Sequence, residues 1–367
     1  LNQADLELAS DLTLTSDAAM AFDTFTPNAK DLELASSSTA EVSLGNLNIA
    51  SSSVDVKGGT LNITGGSVGA NGSLEIGGSG TLKLGGNLAV TGTINLNNGA
   101  TTTFAGNKID VSGGTLKLAG THSLNSITTN DQTKLQINNS ANVSRTDSGT
   151  STVGSLTYIQ SGGSGSLSLS VANMGLTVAS ATQVSGASLN HSNGILTFQS
   201  APSLSNSSSL SVSNGELVLA NGVTVNGSSL QLTASKFKPN GSVSVTNGGT
   251  FALNETSSVI LQGDTTLNQA GSVSWPDLDL GGKKLSLGST VSSFTVQKAL
   301  NIANGESLLS SGSSVINLSD TLTVANGGKL TSGTGNVQIS GALTLNGEMK
   351  QGGGTLNLPQ AVTVGAT

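Results

Sequence analysis

The chain has 367 residues, a formal net charge of −7, no cysteine, 49 glycines, 10% charged residues and 2% aromatic residues. Its acidic balance and lone arginine, Arg145, leave no basic stripe to neutralise phosphates, so nucleic-acid binding is not expected. The absence of cysteine excludes disulfides, thiolate metal sites and cysteine nucleophiles, and no apolar run approaches the ~18 residues of a membrane-spanning helix.

The first regular feature is an apolar-x-apolar triplet, Leu12-Thr13-Leu14, which returns as Leu32-Glu33-Leu34. Between them, residues 16–30 hold Met20, Phe22, Phe25 and Pro27 and read as a loop or an N-terminal cap over the first coil, which an open solenoid end needs. The triplet then recurs as Val54-Asp55-Val56, Leu74-Glu75-Ile76, Ile94-Asn95-Leu96, Leu116-Lys117-Leu118, Leu135-Gln136-Ile137 and Leu156-Thr157-Tyr158. Leu176, Leu196 and Leu217 continue it, followed by a weaker pair at Phe237 and Val259, then Leu278, Leu300, Leu322, Leu343 and Val362, always 19 to 22 residues apart. A fixed period near 20 residues is the signature of a stacked repeat architecture.

Between members of this column lie two further apolar sets, such as Leu61 and Val68 after Val54, or Leu82 and Leu88 after Leu74. Gly58-Gly59, Gly77-Gly78 and Asn98-Gly99 punctuate them as turns. In a strand, residues i and i+2 share a face, so each doublet points inward and its middle residue points to water. One such coil cannot bury enough surface to fold alone, but stacked coils share ladders and one core. Crossovers between parallel strands are strongly right-handed. The sequence therefore predicts an all-β, right-handed parallel β-helix of about 18 coils, three short strands per coil, in one domain over residues 1–367.

Serine-rich stretches at residues 161–170 and 203–209 predict longer turns, and Lys236-Phe237-Lys238-Pro239 predicts a break or bulge, because proline cannot donate to a ladder. Trp275, in Val273-Ser274-Trp275-Pro276, falls on an inward position. After Val362-Thr363-Val364 no capping element is visible, and the first residues lack both an initiator Met and a signal-peptide layout. The chain thus reads as an excerpt of a longer protein, or one whose end stacks on another copy.

The outward middle positions of the column hold the candidate chemistry. Glu33, Asp55 and Glu75 would stack up one face about 4.8 Å apart, near the ~5 Å separation of paired glycosidase carboxylates. The face shows no neighbouring base or aromatic platform, so a solvated acidic face is expected, with a cation site or a catalytic pair as the alternatives. Thr157, Thr177 and Thr197, and again Thr323, Thr344 and Thr363, suggest threonine ladders of the kind ice-binding solenoids use, but the flanking rank is irregular and threonine is a good strand former in any case. Gly77-Gly78-Ser79-Gly80-Thr81-Leu82 and Gly162-Gly163-Ser164-Gly165-Ser166-Leu167 follow the glycine spacing of calcium-binding nonapeptides but place Leu where the liganding Asp must stand. His122 and His191 read as surface turn residues. No catalytic residue, metal ligand or cofactor is expected.

The segments Gly58-Gly59-Thr60-Leu61-Asn62-Ile63, Gly113-Gly114-Thr115-Leu116-Lys117-Leu118 and Gly353-Gly354-Thr355-Leu356-Asn357-Leu358 resemble the G-G-T-L-x-L coils of bacterial autotransporter passengers and related large surface adhesins. That resemblance implies a secreted or outer-surface location, export without cysteines, and a role as stalk or adhesin. The expectation is a non-enzymatic extracellular structural or adhesive rod of a bacterial cell surface that assembles into a filament or surface layer. Its partners would be further copies, end to end or laterally, or a host or cell-surface glycan or protein, with no membrane insertion by this segment. A polysaccharide lyase or glycosidase is the alternative, and an ice-binding solenoid a lesser one.

Overall fold

A computed structural model describes residues 5–15, 17, 19–105, 107–111, 113–144, 150–153, 155–158, 167–180, 182–358 and 361–365. Among them there is no helix. The elements are short strands paired in parallel, making a right-handed β-solenoid of about 16 turns against the 18 expected. Contacts divide the chain into two compact units, Leu1–Ala179 and Ser180–Thr367.

In the first unit the coil is three-sided. Ser53–Val56, Thr60–Ile63 and Gly66–Val68 form the three sides of one turn and stack on Ser73–Ile76, Thr81–Leu84 and Leu88–Val90 of the next. The doublets do what their spacing dictates: Val54 and Val56, Leu61 and Ile63, and Val68 are fully buried, while Asp55 and Asn62 lie on the outer face. Close stacking of the corners is what excludes side chains there. Gly66 has a φ of 143°, and a Cβ on it would approach the Leu47 carbonyl oxygen to 2.0 Å.

Residues 19–26, inside the stretch read as a loop or cap, instead form the strand Ala19–Thr26. It pairs with Glu41–Ile49, matching Met20 to Val42, Phe22 to Leu44 and Phe25 to Leu47. The alternation of Met20, Phe22 and the half-buried Thr24 around exposed Ala19, Ala21 and Asp23 is the strand period, hidden in the sequence by the proline that follows it.

The column of triplets changes phase near the end of this unit. Leu116 and Leu135 are paired rungs, and Leu135 pairs with Leu156. Leu176, however, is matched to Ser151 in a separate ladder between Thr150–Val153 and Gly175–Val178. The cause is visible one coil earlier. Thr115–Ser123 runs past its corner through a bulge between Leu118 and Gly120 and stays paired with Lys134–Ser144, whose second half then carries Leu167–Ala172. The interval from Leu156 to Leu176 therefore joins two sheets and is not a whole turn, which accounts for part of the lower coil count. Thr101–Thr103 is left, among the described strands, with Thr81–Leu84 as its sole partner.

In the second unit, Ser229–Thr233, Lys236–Pro239 and Gly241–Thr246 form one turn. The first bend of successive coils is held in the left-handed region at Asn193, Asn214 and Ala234, with φ of 54°, 50° and 48°. Asparagine tolerates this region better than most residues. The bulge expected at Pro239 does not occur: Lys236, Phe237, Lys238 and Pro239 pair in register with Glu216, Leu217, Val218 and Leu219. The proline keeps its place as an acceptor, its carbonyl taking the Gln262 N–H at 2.9 Å, and the register with the following strand, Ser258–Ile260, covers Lys236 and Phe237, so the missing N–H interrupts the ladder without bulging it. The 203–209 turn is also short, since Ser203–Ser205 and Ser209–Ser213 are separated by three residues and Ser208 is buried. Of the turn expected at 161–170, residues 167–170 belong instead to the strand Leu167–Ala172, and the rest lies outside the described residues.

Buried hydroxyls finish the corners. Ser208 Oγ donates to the Val184 carbonyl at 2.8 Å, Ser314 Oγ to Val291 at 2.6 Å and, in the first unit, Thr133 Oγ1 to Val111 at 2.6 Å. Each reaches back one coil to a main-chain oxygen, which meets the rule that buried polar groups be paired. Trp275 is inward as expected, 1% exposed, and lies in a line of rings: Phe237 to Phe251 at 5.0 Å, Phe251 to Trp275 at 6.4 Å and Trp275 to Phe294 at 5.2 Å between centroids.

Candidate functional site: the acidic column of the first unit

The strands Leu32–Leu34, Ser53–Val56, Ser73–Ile76 and Thr93–Leu96 are paired in unbroken register, which brings Glu33 opposite Asp55, Asp55 opposite Glu75 and Glu75 opposite Asn95. Lys117 follows Asn95 one coil on. The three carboxylates predicted to stack are therefore neighbours on the outer face of one sheet.

The base that the sequence reading did not find is Lys57, the residue after the strand Ser53–Val56. Its Nζ lies 2.9 Å from Glu33 Oε2 and 3.2 Å from Asp55 Oδ2. A lysine one position beyond the doublet sits at the corner, and its long stem turns back along the face. Glu75 is satisfied differently, accepting a 2.6 Å hydrogen bond from Asn97 Nδ2, again from the corner position of its neighbouring coil.

Asp55, in the middle, is the perturbed member. Partial burial raises its pKa above the ordinary 3.8, the charges of Glu75 and Glu33 add to this, and Lys57 opposes it by hydrogen bond and charge. One of its oxygens, Oδ1, is enclosed and has no hydrogen-bond partner. The same contacts raise the pKa of Lys57, with the Glu33 hydrogen bond the largest contribution. The arrangement is a lysine-neutralised carboxylate row, with the ammonium where a cation would have to sit between Glu33 and Asp55. Among the described residues no three Asp, Glu or His side chains converge to metal-ligand spacing.

A second charged group, unremarked in the sequence, lies in the other unit. Glu216 is opposite Lys236 and accepts a 2.6 Å hydrogen bond from Lys238 Nζ, with Lys236 Nζ at 3.4 Å. The Lys238 hydrogen bond holds the Glu216 carboxyl below its ordinary value against a smaller effect of burial. The pattern, one carboxylate clasped by lysines at the same position and two further along the next coil, is a ladder-stabilising cross-strand pair.

The remaining candidates fall out as follows. Thr323, Thr344 and Thr363 do stack in register, flanked by the irregular rank Thr321, Ala342 and Ala361. Thr157 and Thr177 do not: Thr157 is matched to Gln136 and Thr177 to Thr152. Leu82 of the first glycine-rich segment is fully buried in Thr81–Leu84, while the second segment, apart from Leu167, lies outside the described residues. The histidines are not surface turn residues. His122 is 7% and His191 1% exposed, each at an inward position matched to a valine on the next strand, Val143 and Val212. Their neighbours in sequence, Thr121 and Ser123, and Asn190 and Ser192, are polar outward positions, so the strand period places both imidazoles inside.

Compared with known proteins, the chain matches no family model, no curated protein and no solved structure.

Proposed function

We propose that this chain is a non-enzymatic extracellular segment of a bacterial surface protein, secreted to the outside of the cell, with a structural or adhesive role and a capacity to assemble with further copies into a filament or surface layer. One observation carries this reading. The acidic column, the densest set of functional groups that the sequence singles out, is closed on itself by Lys57 and Asn97, leaving no carboxylate pair open to a substrate. The outer positions beside it include Ser53, Ser73, Thr93 and Asn95, with Lys117 one coil further on, a surface suited to solubility and to many weak contacts. The lack of cysteine suits a chain exported unfolded.

Electron microscopy of the purified chain tests the assembly part: fibres or sheets support an assembling subunit, and monodisperse particles at high concentration count against it. A polysaccharide-active enzyme is the second reading, favoured by the raised pKa of Asp55 between two carboxylates with a lysine at hand. Incubation with a panel of neutral and acidic polysaccharides decides between the two. Turnover that disappears in Asp55→Asn overturns the structural reading.

A further inference from the structure

We propose that the cleft between Thr101–Phe104 and Thr121–Ser126 in the first unit binds one sugar ring of a neutral glycan. The cleft has a topological origin. Thr60–Ile63, Thr81–Leu84 and Thr101–Thr103 climb one side of the solenoid, and the ladder stops there. The next coil, Thr115–Ser123, bulges between Leu118 and Gly120 and pairs on with Lys134–Ser144 instead of covering Thr101–Thr103. The place where the next rung would lie is a cleft of about 340 Å³, within the range of small-ligand sites. Bulges of this kind re-aim side chains and are frequent beside binding sites.

Its lining is uncharged and mixes hydroxyls with one aromatic ring. Thr102, Thr121 and Ser126 contribute hydroxyls, His122 an imidazole and Phe104 a half-buried ring. His122 Nε2 lies 2.8 Å from the Ala119 carbonyl oxygen. A carbonyl can only accept, so Nε2 is the donor in this contact. Phe104 is followed by Ala105 at a φ of 44°, a left-handed conformation that is strained for a non-glycine residue and that gathers at functional sites. The bulge, the strained turn and the inward histidine, three departures from a monotonous repeat, meet at one place.

A ligand for this site must offer hydroxyls to hydroxyls and an apolar C–H face to a phenyl ring, and a neutral one fits best, because among the described residues no ammonium, guanidinium or carboxylate lines the cleft. A pyranose has these properties. An extended peptide is the poorer fit, since recognition by strand addition relies on a run of main-chain hydrogen bonds and Thr101–Thr103 is three residues long. The inference rests on the adhesive form of the proposed function and names its ligand class.

The test is binding of the full chain to neutral oligosaccharides (fragments of glucan, mannan and galactan), with polygalacturonate fragments and a threonine-rich strand-forming peptide as the competing probes. Measurements use titration calorimetry or a glycan array. At least one neutral probe is expected to bind, at least tenfold more weakly to Phe104→Ala, and not at all to Thr121→Trp, which fills the cleft from an exposed strand position. Circular dichroism of both variants checks that the solenoid is intact; if Phe104→Ala is not, Thr121→Trp alone decides. The proposal is overturned if no neutral probe binds, if binding survives Thr121→Trp, or if the acidic probe or the peptide takes the site instead. A wild-type chain that binds no neutral probe yet still forms fibres or sheets would sink this site and leave the broader function standing.

Discussion

His191 stands opposite Val212 in the ladder between Ala187–Ser192 and Ser209–Ser213, so an imidazole fills an inward place that an aliphatic side chain holds one coil later. It is 1% exposed and neither ring nitrogen makes a hydrogen bond of good geometry, the Gly194 backbone giving only a weak polar contact. The adjacent strands Gln183–Ser185 and Ser209–Ser213 carry no titratable side chain, and residues 148–215 contain no Asp, Glu, Lys or Arg. Burial accordingly lowers the His191 pKa below 6.5, against a weaker opposing effect of the Gly194 backbone.

Acid sensitivity follows from that sign. The unfolded chain takes up a proton at this histidine as the pH falls through 6.5, and the folded chain does not. The stability is therefore complete above pH 6.5 and declines below it, by at most about 1.4 kcal/mol per pH unit for one proton, until the folded-state pKa is reached. Urea denaturation between pH 7.5 and 5 should show this slope, and His191→Leu should flatten it. A slope unchanged in that variant would mean that His191 is not its source.

How far the fold could be read from the sequence depends on whether the information is local. The period-2 doublets Val54/Val56 and Leu74/Ile76 announce strand, side and repeat at once, because burial alternates along the strand whatever it pairs with. The choice of pairing partner is not local. Leu156 and Leu176 look like successive rungs, and only the bulge at Leu118/Gly120, with no sequence mark beyond an ordinary glycine, shows that they belong to different ladders. Among the site residues, Glu33, Asp55 and Glu75 were legible because they occupy one phase of the repeat. Lys57 was not, because it stands one residue past the doublet and reaches back. His122 and His191 were legible in principle from their polar neighbours, had the strand period been given more weight than histidine's liking for surfaces.

Lys57 is predicted to hold the carboxylate row together. Lys57→Met should lower stability at pH 7 and raise the Asp55 pKa further, since Glu33 and Glu75 would then act on it unopposed by the lysine. Asp55 has a folded-state pKa above its unfolded value, so protonation favours the fold. Its contribution is greatest below pH 3.8 and is lost as the pH rises through the raised value. The difference between wild type and Lys57→Met should therefore shrink on acidification and in high salt, where exposed pairs are screened. Carbon-detected NMR titration of Asp55 in both proteins measures it, and an Asp55 pKa that does not move would refute the coupling.

The corner hydroxyls predict a specific cost. Ser257 is fully buried; its Oγ lies 2.7 Å from Asn254 Oδ1 and 3.2 Å from the Leu232 carbonyl, and it accepts from the Ser235 amide at 3.2 Å. Ser257→Ala strands at least one buried main-chain group and should cost about 1–3 kcal/mol. Ser258→Ala, at the adjacent half-buried position, should stay within about 0.5 kcal/mol of wild type. Equal effects in the two variants, followed by Trp275 fluorescence during denaturation, would refute the role of the hydroxyl.

Trp275 gives the sharpest packing test, because its side chain combines the largest buried volume in the core with an unpaired donor. It is held between Phe251 and Phe294 at 6.4 and 5.2 Å, both edge-on, contacts worth about 0.5–1.5 kcal/mol each beyond area burial. Its Nε1 is enclosed without a partner, and such a donor carries a desolvation penalty of about 1–3 kcal/mol. Trp275→Ala removes the ring from a narrow core that cannot collapse around the void, because the ladders fix the distance between coils, and should cost about 3–5 kcal/mol. Trp275→Phe loses less volume, can keep one aromatic contact, and removes the orphan N–H, so the two effects oppose each other and the net cost should stay below about 2 kcal/mol. Circular dichroism during urea denaturation measures both, since neither variant retains a tryptophan. If Trp275→Phe proves as damaging as Trp275→Ala, Nε1 has a partner and the indole is held by a hydrogen bond as well as by packing.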